Sequence, residues 1–283
     1  MADDLTTTEM MTMATFEAVA TTRAVAGKVT LQGGNALKYV YGSPRASVDV
    51  DFLSSASRQE VKALAAKALE ICQQWAPRLQ LDPSEFSFTS KRTNNTRNPM
   101  VFFLLHEQPA SVPYRRVKLE SFQVEPGCLQ NYTADSSRPA RGRHINFVTP
   151  YLATATPAEI LVDKTHALAN RGHPKARDVF DITWLVGNMR EQIQPITHNM
   201  WSNHLRMYGQ QDSDLEETRA KALSRIEDMQ SRASTMAGEI GGFLPYPVDA
   251  PMFESWCETA RVWIETLSLP KNAASPSNHP PAP

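Results

Sequence analysis

The chain has 283 residues, 41% of them apolar, and a formal net charge of −1 at neutral pH, which allows two compact domains or one large one and argues against indiscriminate polyanion binding. No apolar run approaches the roughly 20 residues of a membrane span, and the acidic start Met1-Ala2-Asp3-Asp4 does not read as a secretory signal. Cys72, Cys128 and Cys257 are far apart and odd in number, so they offer neither a metal-ligand spacing nor a disulfide framework, as expected in a reducing cytoplasm.

In chain order, residues 8–26 read as a helix rich in Met, Ala and Thr. Residues 28–32 are a short β-rich run that ends at Gly33-Gly34, and residues 35–41 carry apolar residues at helical spacing as far as Gly42-Ser43-Pro44. Residues 47–53 alternate with period two, which predicts a half-buried strand with Val48, Val50 and Phe52 inward. Residues 57–75 form an amphipathic helix stopped by Pro77, and strands are predicted at 86–89, 101–105 and 116–122. Residues 127–143 lack periodicity and predict a long loop. Two helices broken at Gly172-His173-Pro174 span 157–187, helix continues over 191–236, and a last helix covers 252–267. The chain therefore predicts an α+β fold, with a mixed head over 1–151, a helical domain over 152–268 and a Pro/Ser/Asn/Ala tail over 269–283.

The chemistry gathers at a few of these positions. Gly33-Gly34 stands at a strand-to-helix turn, where glycine lets a ligand approach the main chain and the helix start offers free N–H groups to a phosphate. Paired glycines also occur at ordinary turns. Asp49 and Asp51 are two apart on one strand, so they share a face. Adjacent carboxylates repel unless a cation lies between them, and Mg²⁺ takes few carboxylates plus phosphate oxygens and waters. The plainer reading of a lone Asp-x-Asp is a solvated strand end. Glu120, on the strand Val117-Lys118-Leu119-Glu120, is the candidate third carboxylate, as general base or as ligand of a second ion, with an edge-strand surface charge as the plainer alternative. Lys164 interrupts an apolar helix face, which also fits a surface lysine. Asp178 lies near a helix start, where an acid favours the dipole. Asp181 reads as structural, paired with Arg177 at i, i+4.

Leu31-Gln32-Gly33-Gly34-Asn35-Ala36-Leu37 followed by Ser47-Val48-Asp49-Val50-Asp51-Phe52 resembles the first signature of the AbiEii/AbiGii nucleotidyltransferases. These belong to the polymerase-β-like superfamily and act as toxins of bacterial toxin–antitoxin and phage-abortive systems, with MenT-type relatives. Leu161-Val162-Asp163-Lys164-Thr165-His166-Ala167-Leu168 and Ala176-Arg177-Asp178-Val179-Phe180-Asp181-Ile182 are similar to two further family helices. The resemblance implies a polymerase-β-like head and a Mg²⁺-dependent transfer of a nucleoside monophosphate from an NTP. It implies that Gly33, Gly34 and Ser47 meet the phosphates, that Asp49 and Asp51 hold Mg²⁺, that Lys164 reaches the triphosphate and that Asp178 completes the site. Asn35 departs from the family's Ser or Thr, yet an amide can still donate to a phosphate oxygen. A cognate antitoxin is an implied partner, and the 3′ end of tRNA an implied acceptor; the alternatives are transfer to a small molecule or a protein hydroxyl, or a catalytically inactive NTP/RNA-binding module.

From Lys91 to Arg177 there are 13 Lys/Arg against 6 Asp/Glu, so the rest of the chain holds 16 and 24. Lys91, Arg92, Arg97, Arg115, Arg116, Arg138, Arg141 and Arg143 are therefore expected to line an RNA groove. The alternative is that these charges scatter over several faces.

Overall fold

A computed structural model describes residues 2–92, 100–107, 115–140, 149–211 and 215–267. Its first helix, α1 (Ala2–Thr21), buries Met10, Met11, Met13 and Phe16. The threonines that would weaken a helix are accommodated because the Thr12 and Thr15 hydroxyls donate to the Thr8 and Met11 carbonyls one turn back. Strand β1 (Val29–Gln32) runs directly into α2 (Gly33–Tyr39), and β2 (Asp49–Ser54) follows. Helix α3 (Arg58–Trp75) opens on a capping box in which the Ser57 hydroxyl accepts from the Glu60 amide while the Glu60 carboxylate accepts from the Ser57 amide. Three strands come next, β3 (Phe86–Arg92), β4 (Met100–Glu107) and β5 (Arg115–Gln123).

The stretch expected as a loop contains a short helix, α4 (Pro126–Gln130), and a strand, β6 (Ala134–Ser137). Neither shows hydrophobic periodicity because β6 is an exposed edge strand that buries little side chain. Strand β7 (Leu152–Ala155) begins at the residue where the helical part was expected, and it pairs with β1 and β6 inside the sheet.

The seven strands form one mixed sheet in the order β3-β4-β5-β2-β1-β7-β6. The strand that carries Asp49 and Asp51 is thus central, antiparallel to β1 and parallel to β5. Helices α1 and α3 pack together, α1 also on β5 and α3 also on β3 and β4. Val50 and Phe52 are inward as predicted, but Val48 precedes the strand and is 50% exposed.

Beyond the sheet the chain is helical: α5 (Pro157–Asn170), α6 (Ala176–Asn188), α7 (His198–Met207), α8 (Leu215–Ser231), α9 (Ala233–Gly241) and α10 (Ala250–Thr266). Helix α5 is capped by Thr156 and packs on α6 and α8, while α10 closes over α6, α8 and α9. No helix among the described residues is long and apolar enough to cross a membrane.

Candidate active site

A cleft of about 410 Å³ lies where the β1–α2 turn, β2 and β5 meet α5 and the start of α6. Its floor is set by the turn. Gly33 has φ +67, and a Cβ there would stand 2.6 Å from Asp51 Oδ2. A Cβ on Gly34 would stand 2.5 Å from Ser47 Oγ and 2.7 Å from an Arg45 guanidinium nitrogen. Both glycines are therefore required by close approach, Gly33 also by its left-handed backbone. Ser47 and Arg45 are held against the turn by the loop that leads into β2.

Asn35 is fully buried, and its Nδ2 donates to the Asp49 carbonyl at 2.6 Å. The amide expected to face a phosphate is thus directed away from the cleft, where it fixes the start of β2. Its Oδ1 is buried with no hydrogen-bond partner among the described residues.

The carboxylates converge. Parallel pairing sets Asp49 opposite Lys118 and Asp51 opposite Glu120, and all four side chains line the same cleft. Lys118 Nζ lies 2.5 Å from Glu120 Oε1 and 3.3 Å from Asp49 Oδ2. The Asp51 carboxyl is held well above the usual carboxylate range, by burial first, then by the neighbouring charge of Glu120 and a hydrogen bond with it, then by Asp49; Lys164 pulls the other way. Burial works against the charge of Lys118, but its contacts with Glu120 and Asp49 outweigh this and raise its pKa.

A buried ion-pair chain forms the opposite wall. The Arg45 guanidinium grips Asp181 through two hydrogen bonds, Nε at 2.7 Å and Nη2 at 2.9 Å. Lys164 Nζ lies 2.9 Å from Asp181 and 3.2 Å from Asp178, and Arg171 donates to Asp178 at 2.6 Å. Both aspartates are fully buried. Burial alone would raise the Asp181 pKa, but Lys164 and then Arg45 lower it below the ordinary value. Lys164 and Arg45 are likewise disfavoured by burial yet raised by these partners. Asp181 is therefore not the partner of Arg177, as its helical spacing predicted. Arg177 instead lines the cleft together with Lys164, Asp163 and Arg171. Phe122 and Tyr208 stack at 5.0 Å between centroids on the remaining side, with the Tyr208 hydroxyl donating to Asp163 at 3.0 Å.

The predicted residues sort clearly. Gly33, Gly34, Ser47, Asp49, Asp51, Glu120 and Lys164 line one cleft, with Asp178 buried behind Lys164. Arg115 does not face solvent as an RNA contact would; it turns inward onto Glu107 and Thr7. Arg116 is exposed. Arg138 donates to the Thr149 carbonyl and lies over the Tyr151 ring. Arg141, Arg143 and Arg97 lie outside the described residues, as do the side chains of Lys91 and Arg92. Arg45, Lys118, Arg171 and Tyr208 are among the cleft residues to which the sequence assigned no role, and Asp181, expected to be structural, is buried behind the cleft against Arg45 and Lys164. Only Lys118 carried a signal, since it shares a strand face with Glu120.

The donor set suits a hard divalent cation. Three carboxylates share one face, and the Gly33 main chain lies directly against the Asp51 carboxylate. No ready-made group of three metal-binding side chains stands among the described residues. Mg²⁺ does not demand one, because it retains waters and phosphate oxygens in its shell.

Comparison with known proteins follows the same lines. The family described as nucleotidyl transferase AbiEii toxin, type IV toxin–antitoxin system, matches residues 17–259. The chain is similar to MenT4, a nucleotidyltransferase toxin from Mycobacterium tuberculosis H37Rv, at 13% identity and TM-score 0.55 over 95% of this chain and 87% of that one. A likeness at that identity shows the shared α+β fold. The chain is also similar to JHP933 from Helicobacter pylori, at 15% identity and TM-score 0.48 over 90% of each chain. No curated protein matches the sequence.

Proposed function

The chain belongs to the AbiEii family of nucleotidyltransferase toxins, and from that premise we propose that it moves a nucleoside monophosphate from an NTP to the 3′ end of tRNA, with Mg²⁺ as the resident ion. Nucleotidyltransferases generally use a divalent metal, and a toxin of this kind works opposite an antitoxin. The observation that carries the reading is the convergence of Asp49, Asp51 and Glu120 beside the Gly33-Gly34 turn in one open cleft.

The roles follow from position. Gly33 and Gly34 let the triphosphate lie against the main chain. Asp49 and Asp51 hold Mg²⁺, which when bound offsets the charge that develops on the transferring phosphoryl group. Lys164, Arg171 and Arg177 bring cationic charge to the phosphates from the helical side. Asp178 and Asp181 keep Lys164 in place while the cleft is empty of nucleotide. Glu120 takes the proton of the attacking hydroxyl or holds a second ion. The exposed Arg116 continues the strand face of Lys118 and Glu120, because it lies two and four residues before them. It extends the cleft as a contact for an RNA backbone. The chain divides by role into a sheet-bearing head that holds the ion and a helical part that supplies cations.

The test is incubation of the full chain with each α-labelled NTP, Mg²⁺ and purified tRNA, followed by 3′-end sequencing, with protein and small-molecule fractions offered in parallel. Label at the tRNA 3′ end that disappears with Asp49→Ala is expected. Label confined to protein or to a small molecule would move the acceptor elsewhere, and no transfer to any fraction would end the reading.

A further inference from the structure

We infer that Lys118 supplies the second positive charge of the reaction centre, so that this site works with one divalent ion, carried in with the nucleotide, where related chemistry often uses two. The inference rests on the nucleotidyl-transfer reading above. Two-ion sites place their ions about 3.5–4 Å apart, with carboxylates shared between them. Here a carboxylate from β2 and one from β5 are already bridged by an ammonium. Lys118 Nζ lies 2.5 Å from Glu120 Oε1 and 3.3 Å from Asp49 Oδ2.

Its place is fixed by the sheet. Six consecutive parallel pairs lock β2 to β5, from Asp49↔Lys118 to Ser54↔Gln123. Period-two geometry then puts Lys118 and Glu120 on one face, with Asp49 and Asp51 beside them. The ion pairs of the opposite wall serve other acids. Arg45 binds Asp181, Lys164 binds Asp178 and Asp181, and Arg171 binds Asp178. Among the described residues, Lys118 is thus the cation in ion-pair contact with Asp49 and Glu120, while Lys164 and Arg45 also act on Asp51 by their charge. A second divalent ion between Asp49 and Glu120 would have to share that space with the ammonium or expel it.

The assignment decides the role of Glu120. With the second-ion position filled by Lys118, Glu120 acts as the base. The acceptor hydroxyl oxygen bonds to the α-phosphorus while its proton passes to Glu120. The bond from the α-phosphorus to the bridging oxygen breaks, and pyrophosphate leaves with the electron pair.

The test counts ions, a readout separate from turnover. Mn²⁺ is titrated into the full chain with a non-hydrolysable α,β-methylene nucleotide, and free Mn²⁺ is followed by electron paramagnetic resonance. One Mn²⁺ per protein–nucleotide complex is expected for the unaltered chain and for Lys118→Arg, and two for Lys118→Gln. In parallel, the dependence of transfer on Mg²⁺ should change from first order to near second order in Lys118→Gln. Two ions in the unaltered chain, with transfer intact, would overturn the inference and leave the nucleotidyltransferase reading standing. A single ion in a folded Lys118→Gln variant would overturn it equally. Should Lys118→Gln fail to fold, the counts in the unaltered chain and in Lys118→Arg still decide. Absence of both transfer and nucleotide-dependent Mn²⁺ binding would overturn both proposals.

Discussion

Single side chains set the tolerances of the cleft. Gly33→Ala combines two penalties. An L-residue in the left-handed region costs about 1–2 kcal/mol, and the new Cβ would press on Asp51 Oδ2. Gly42 is the matched control, because its φ is +83 and nothing lies within 4 Å of a Cβ built there. Gly42→Ala should therefore lose comparable stability in urea titration and keep transfer. Gly33→Ala should lose transfer by about 100-fold as well, the scale of a misplacement near 1 Å. Equal activity in the two variants would show that the contact with Asp51 is irrelevant. Asp181 gives a second residue-scale outcome. Asp181→Asn strips Arg45 of its bidentate partner in the interior, at a cost of about 3–5 kcal/mol. Lys164 and Arg45 hold the folded pKa of Asp181 below the ordinary value. Its contribution is accordingly complete above the unfolded pKa of about 3.9 and is lost as pH falls through the lower folded value. The stability gap between the two proteins should stay flat from about pH 5 to 8 and narrow in stronger acid. A gap equally wide at both ends would deny the ionised pair its role.

At the scale of elements, much was legible and the reasons are local. The strand-turn-helix at β1 and α2, the alternating Val50 and Phe52 of β2, and the Thr-Pro start of α5 all write their pattern within a few residues. Strand β6 left no pattern because its side chains are mostly exposed. Register is a relation between distant strands, so the pairing of Asp49 with Lys118 was beyond local reading even though each strand was found. Asn35 shows the same limit. Its place after two glycines suggested a phosphate contact, whereas its hydrogen bond to the Asp49 carbonyl ties α2 to β2. Asn35→Ala should consequently weaken Mn²⁺ affinity, measured with nucleotide present, by about 10-fold, as loss of a supporting partner behind a metal ligand does. Unchanged affinity would return Asn35 to a purely structural place.

For the whole molecule, the basic central segment is the instructive case. Its surplus of 13 cations over 6 acids looked like a polyanion surface. The structure spends Arg115 on Glu107, Lys118 on Glu120 and Asp49, and Lys164 and Arg171 on the α6 aspartates. Sequence counts could not separate these from the exposed Arg116, because the three acids of α6 and β2 that they meet, Asp49, Asp178 and Asp181, all lie outside the counted stretch. Neighbouring arginines should thus behave differently. Arg116→Glu should weaken tRNA binding and reduce its salt slope by about one, with stability nearly unchanged. Arg115→Glu should destabilise the fold, since it sets a second acid against buried Glu107. If both variants bound tRNA normally, an RNA surface on this side of the sheet would be untenable.

The clasp between Arg45 and Asp181 spans 136 positions of the chain. A ribosome releasing this polypeptide at about 5–20 residues per second presents the glycine turn and the aspartate strand many seconds before α6 exists. Until then Arg45 lacks its bidentate partner and Lys164 has neither of its ion-pair acids. On the function proposed above, a nascent fragment ending before α6 would lack Asp178 and Asp181 to position Lys164, so transfer should await synthesis of that helix.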